Sequence, residues 1–228
     1  MSAAATTGVI VQMRIDSSRL PGKALLPLAG TTLAGAVMRR LRGITADAYI
    51  LATDAAGAQA LGPVAAAFGF SVFAGPKYDV LARFVMAAGV FDLDRVVRAT
   101  GDNPFVSVPL AELALDESDA SGADYVGLAG MPVGMGVEVV RAEALVIADS
   151  STTSAFDREH VCPYLYGHPD EFLVSQPGCP DTYHNPQARV TVDTGVDYRR
   201  AMAIFADLGD EPSDDAILSW LRDERKDG

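Results

Sequence analysis

Arg14, Arg19 and Lys23 fall within ten residues of one another, directly after the first apolar run. They lie in the stretch Gln12-Met13-Arg14-Ile15-Asp16-Ser17-Ser18-Arg19-Leu20-Pro21-Gly22-Lys23. Such a set suits a polyphosphate, because arginine offers a planar fork of donors and lysine a point charge. Gly22 permits close backbone approach and Pro21 stiffens the turn. Free backbone N–H groups in a loop of this kind can cradle phosphate oxygens. The competing reading is a solvated basic loop. The stretch is not G-x-x-x-x-G-K-[ST], and no G-x-G-x-x-G opens the first helix, which argues against a P-loop ATPase and a dinucleotide dehydrogenase.

Two aspartates stand where apolar runs end. Asp102 follows Val96–Ala99 in Thr100-Gly101-Asp102, and Asp193 follows Val190–Val192. In an open parallel sheet, ligands bind beyond the carboxyl ends of strands. Two carboxylates with phosphate oxygens and water make a hard-oxygen magnesium site. Taken alone, a strand-end aspartate is more often a helix cap or turn residue. Asp92-Leu93-Asp94 spells D-x-D but precedes a strand, so it reads as a turn. The three histidines, His160, His168 and His184, show no zinc spacing.

The elements that must position these residues follow an alternating pattern. Strands are expected at Val9–Met13, Ala48–Ala52, Ser71–Ala74, Arg95–Ala99, Tyr125–Leu128, Val137–Val140 and Arg189–Val192. Helices are expected at Thr31–Leu41, Ala55–Phe68, Asp79–Ala88, Val108–Leu115, Glu143–Ala148, Val196–Leu208 and Asp214–Arg225. Asp157–Tyr166 reads as a helix that Pro163 bends or ends, and Ser150–Ser154 as a polar loop. The rhythm predicts one α/β domain over residues 1–228, with a mostly parallel sheet covered on both faces and an irregular insertion near 130–187.

Composition bounds the function. The chain has 228 residues, 49% hydrophobic and 21% charged, as in an ordinary globular protein. Its formal net charge of −12 disfavours general binding to nucleic acid or anionic membrane. Two cysteines, Cys162 and Cys179, cannot build a disulfide framework, and reduced thiols in a cytoplasmic protein are expected. No apolar run reaches the roughly 18–20 residues of a membrane span, and Met1–Thr7 lacks the regions of a signal peptide.

The loop from Val11 to Lys23 resembles the opening motif of the cytidylyltransferases, which include CMP-activated acidic-sugar synthetases and their spore-coat polysaccharide relatives. Further segments are similar to that family in order along the chain: Ile50-Leu51-Ala52-Thr53-Asp54, Asp79-Val80-Leu81-Ala82-Arg83-Phe84 and Thr100-Gly101-Asp102-Asn103-Pro104. Asp157-Arg158-Glu159-His160-Val161-Cys162-Pro163-Tyr164 and Thr191-Val192-Asp193-Thr194 follow. Two departures stand out: Gly136 replaces an aspartate in Gly134-Met135-Gly136-Val137-Glu138, and Gly195 replaces the proline after Val192-Asp193-Thr194. The first falls where an acceptor would sit.

The resemblance implies a Rossmann-like fold and transfer of CMP from CTP to an acidic acceptor, with release of pyrophosphate. Arg14, Arg19 and Lys23 would be catalytic, stabilising charge on the leaving group. Gln12, Met13, Thr53, Asp54, Asp79, Arg83 and Asp102 would join them in binding the nucleotide. Asp102 and Asp193 would hold Mg²⁺, and Glu138, Arg158 and His160 would face the acceptor. The base would be read by backbone near Val11–Met13 and by Thr53 and Asp54. A homodimer is expected through Met131–Tyr166. The rival readings are a phosphonate acceptor, a nucleotide-sugar glycosyltransferase and a non-catalytic nucleotide-binding module.

Overall fold

The computed structural model describes residues 5–227. Strand β1 (Thr7–Gln12) leads to a small hairpin, β2 (Pro27–Leu28) and β3 (Thr31–Thr32), and to helix α1 (Leu33–Leu41). Next come β4 (Ala48–Thr53), α2 (Ala55–Ala67), β5 (Ser71–Ala74), α3 (Val80–Val90), β6 (Arg95–Thr100), α4 (Val108–Ser121) and β7 (Tyr125–Gly127). The chain continues through β8 (Glu138–Arg141), α5 (Ala142–Ser151), α6 (Ala155–His160), α7 (Pro163–Gly167) and β9 (Val174–Ser175), and closes with α8 (Gly195–Leu208) and α9 (Asp214–Asp227).

The seven-stranded sheet runs β5-β4-β1-β6-β8-β7-β9. β1 pairs in parallel with β4 and β6, and β8 runs antiparallel to β6 and β7. The predicted α/β class and mostly parallel sheet are therefore present. Alternation along the strands feeds two cores, as the two-residue period requires. Val9 and Val11 pack on one face with Leu51, Val97 and the α1 residues Leu33, Val37 and Leu41. Ile10 packs on the other with Ile50, Val96, Leu81 and Phe84. The closing helices α8 and α9 join the first core, burying Ile204, Phe205, Ile217 and Leu221 there.

Most helices start where the sequence places a short polar residue. Thr32, Asp54, Asp79 and Ser107 each accept a hydrogen bond from the backbone N–H three residues on, and Thr194 and Asp197 form a reciprocal capping box.

Several boundaries differ from expectation. Thr31 and Thr32 belong to a hairpin, so α1 begins at Leu33. Ala29 and Gly30 both take positive φ, 50° and 69°, which closes that two-residue turn. The expected strand at Arg189–Val192 is absent as a strand. Its extended backbone makes single contacts instead, Val190 N–H to Val133 O at 2.8 Å and Val192 N–H to Asp102 O at 2.8 Å. The Asp157–Tyr166 segment divides into α6 and α7 around Val161, whose φ is 74°, with Pro163 opening α7. α5 absorbs Ser150 and Ser151 from the expected loop. The irregular stretch near 130–187 is threaded into the sheet, because β8 lies between β6 and β7.

Candidate active site

A cavity of about 260 Å³ opens at the carboxyl ends of β1 and β6. One wall is the loop after β1. It folds on itself through Gly22 N–H to Ile15 O at 3.1 Å and Lys23 N–H to Leu20 O at 3.1 Å, with Gly22 in the left-handed region. Close approach of the two strand ends needs Gly101. Its N–H donates to Gln12 O at 2.9 Å, and any Cβ there would strike the Met13 side chain.

Lys23 joins the two strand-end aspartates. Its Nζ lies 3.3 Å from Asp102 Oδ2, 3.1 Å from Asp193 Oδ1 and 2.8 Å from Val192 O, which uses all three ammonium donors. Arg19 donates to Asp193 Oδ1 at 2.9 Å, and Arg189 donates to Asp193 Oδ2. Burial alone would raise the Asp193 pKa. The hydrogen bonds and charges of Lys23, Arg19 and Arg189 outweigh it and hold the carboxyl below its ordinary value. Asp102 Oδ1 accepts from Thr100 Oγ1 at 2.6 Å.

The opposite wall carries more positive charge. Arg83 is 3% exposed. Its Nη1 donates to Pro76 O at 2.5 Å and to Lys77 O at 3.3 Å, while its buried Nε has no partner. Burial lowers its pKa, against the pull of Asp54 and Asp79. A buried cation held by carbonyls alone is poised for an anion. Lys77 pairs with Asp16 at 2.6 Å and thereby lowers the Asp16 pKa. Arg14 lies 3.9 Å from Asp16 and 3.8 Å from Glu159. His160, tilted against the Phe156 ring with centroids 4.5 Å apart, completes the rim.

The cavity thus gathers Gln12, Met13, Arg14, Arg19, Lys23, Arg83, Asp102, His160 and Asp193 from the sequence-predicted set. The other members of that set lie elsewhere. The Thr53 side chain is fully buried with no partner for its hydroxyl. Asp54 caps α2 through Gly57 N–H at 2.7 Å. Asp79 caps α3 and receives Arg158 at 2.7 Å. Arg158 is spent on that contact and on Asp149 at 2.6 Å, clamping α3 to α5 and α6. Glu138 lines a neighbouring cavity of about 420 Å³ and pairs with Arg98. Sequence reasoning missed Arg98, Lys77, Arg189 and Glu159. Arg98 had a signal: a charged residue inside the apolar run Val96–Ala99 demands a partner, and Glu138 in the next apolar run supplies it.

Among the described residues, no group of three or more His, Cys, Asp or Glu side chains gathers as a metal centre. Asp102 and Asp193 nevertheless suit a hard divalent cation that takes its remaining ligands from phosphate and water. The Lys23 ammonium bridging them shows that the pair receives positive charge.

A model of the cytidylyltransferase family matches residues 8–214. The chain belongs to the cytidylyltransferase family. This cytidylyltransferase is 34% identical over 212 residues to the spore coat polysaccharide biosynthesis protein SpsF of Bacillus subtilis, covering 89% of this chain and 88% of that one. A solved cytidylyltransferase from Leptospira borgpetersenii superposes with a TM-score of 0.87 at 25% identity, over 98% of this chain and 96% of the other. A CMP-2-keto-3-deoxy-manno-octonic acid synthetase solved with CTP shares the fold, with a TM-score of 0.70 at 16% identity over 89% and 99% of the two chains. Among the described residues of this cytidylyltransferase, no helix is long and apolar enough to cross a membrane.

Proposed function

We propose that the chain transfers CMP from CTP to a small acidic acceptor, an acidic sugar in the first instance, and releases pyrophosphate. The observation that carries this reading is the convergence of Arg14, Arg19 and Lys23 with Asp102 and Asp193 at one cavity at the strand ends. An acceptor oxygen attacks the α-phosphorus and the bond to the bridging oxygen of pyrophosphate breaks. Charge grows on that leaving group, where the arginine forks and the Lys23 point charge act by position and electrostatics. Arg83 and Gln12 bind the nucleotide from the other side. Lys23 reaches the phosphates only by leaving Asp102 and Asp193, since its three donors are otherwise occupied. Mg²⁺, held by Asp102 and Asp193, would supply charge neutralisation at the α-phosphate.

Acidity of the acceptor has a use here. Asp193 is paired with Lys23, Arg19 and Arg189, which makes it a poor proton acceptor. An acceptor oxygen that is already ionised, as in a phosphonate, needs no base, and this favours the phosphonate as the second reading. His160 at the rim is placed to meet the acceptor, with Glu138 in the adjoining cavity. The working form is proposed to be a cytoplasmic homodimer. The test is pyrophosphate release from CTP with a panel of acidic sugars and phosphonates. Pyrophosphate release that depends on one acceptor supports the reading, and its absence with every acceptor, together with release of free nucleotide from a nucleotide-sugar, contradicts it.

A further inference from the structure

Gln12 ends β1 beside the nucleotide cavity, and its register partner on β6 is Thr100. Arg98, two residues earlier on β6, therefore projects from the same face of the sheet. Arg98 Nη2 donates to Gln12 Oε1 at 3.2 Å, and Nη1 donates to Glu138 Oε2. Glu138 sits directly opposite Arg98 in the antiparallel register of β6 and β8. Its other oxygen accepts from Tyr125 Oη at 2.9 Å. The line Tyr125–Glu138–Arg98–Gln12 thus runs beneath both cavities, and Arg98 lines each of them. Burial works against the Arg98 charge, and Glu138 leads the groups that together outweigh it.

A guanidinium only donates. The Gln12 carboxamide must therefore turn its oxygen to Arg98 and its NH₂, with two donors, to the cavity it lines. From these contacts we infer that Gln12 is a nucleotide-contacting donor whose orientation is set by Arg98 as a positioning residue, itself anchored by Glu138 and Tyr125. The ligand atom it meets is an oxygen near the junction of the two cavities, where the transferred group and the acceptor come together. A neutral donor fixed in place beforehand stabilises developing negative charge there without reorganising. Without Arg98 nothing holds the amide against flipping, and the flipped amide presents a carbonyl to an anion. This inference rests on the nucleotide reading of the cavity.

The test is CTP binding by titration calorimetry, at fixed Mg²⁺ and salt, for wild type, Gln12→Leu, Arg98→Lys and the double variant. Lysine keeps the charge facing Glu138 but cannot fork to Gln12. Each single change is expected to weaken CTP about tenfold, the size of one lost hydrogen bond. The double variant should be no weaker than either, because both remove the same contact. The side-chain amide signal of Gln12, one of four glutamines in the sequence, should shift when CTP is added to wild type and shift less in Arg98→Lys. Losses that multiply to about 100-fold in the double variant, or Gln12→Leu binding like wild type, would overturn the relay while leaving the nucleotide reading intact. If Arg98→Lys fails to fold, Glu138→Gln replaces it, with the same loss and the same non-additivity expected. Wild type that binds no CTP would overturn the nucleotide reading and the relay together.

Discussion

Lys23 carries two duties that exclude each other at any instant. It neutralises Asp102 and Asp193 in the structure and is proposed to meet phosphate oxygens in the reaction. Lys23→Met should therefore weaken CTP while raising the affinity of the nucleotide-free protein for Mn²⁺ by about tenfold, since one competing charge is lost. Mn²⁺ titration followed by paramagnetic resonance reads this directly, and unchanged Mn²⁺ affinity would contradict it. Asp102→Asn and Asp193→Asn should each lower turnover by at least ~10²-fold, as removal of one strong electrostatic stabiliser does. Asp193 also sets a pH dependence. Its folded pKa lies below the ordinary 3.8, so its contribution to stability is present above that value and is lost as pH falls through the folded value. Thermal midpoints of wild type and Asp193→Asn should converge as the pH drops below 3.8. A constant gap would mean that the ion pairs do not contribute.

At the scale of elements, Arg158 is the residue whose role differs most between sequence and structure. Its charge-rich motif presents it as an acceptor ligand, yet it bonds Asp79, Asp149 and the carbonyls of Asp149 and Thr152. Arg158→Ala should cost roughly 2–4 kcal/mol in stability, because it leaves two partly buried aspartates without their cation and the carbonyls of Asp149 and Thr152 without that donor. Urea unfolding measures that, and a loss below about 0.5 kcal/mol would make the clamp an ordinary surface pair. The strand and helix order was legible because buried parallel strands are short apolar runs and their helices open on Asp, Ser or Thr. The α6–α7 break was half legible: Pro163 marked it, but Val161, buried and at positive φ, is a β-branched residue that gives no local signal of that conformation. The hairpin before α1 escaped because its turn is Ala29-Gly30 and not Asn-Gly or Asp-Gly. The cation loop and both aspartates were legible as strand-end residues. Lys77 and Arg189 were not, because each is brought in by a chain segment without regular structure.

For the whole molecule, the site concentrates Arg14, Arg19, Lys23, Lys77, Arg83 and Arg98 around one cavity in a chain of net charge −12. That local field would draw the proposed anionic nucleotide into a protein whose overall field repels it. The stretch expected to form the dimer carries exposed apolar side chains, Val146, Ile147, Phe156 and Tyr166. Light scattering at micromolar concentration should give twice the chain mass of 23.9 kDa, and a monomeric mass would contradict the proposed homodimer. The most direct test of the central claim is the nucleotide dependence of pyrophosphate release, measured with CTP, UTP, ATP and GTP at matched Mg²⁺ and with a working acceptor. Cytosine and uracil differ in the donor and acceptor pattern of one edge, and a site that pairs with that edge can discriminate by ~10⁴-fold. Strong preference for CTP is predicted. Equal rates with UTP would contradict cytidylyl transfer.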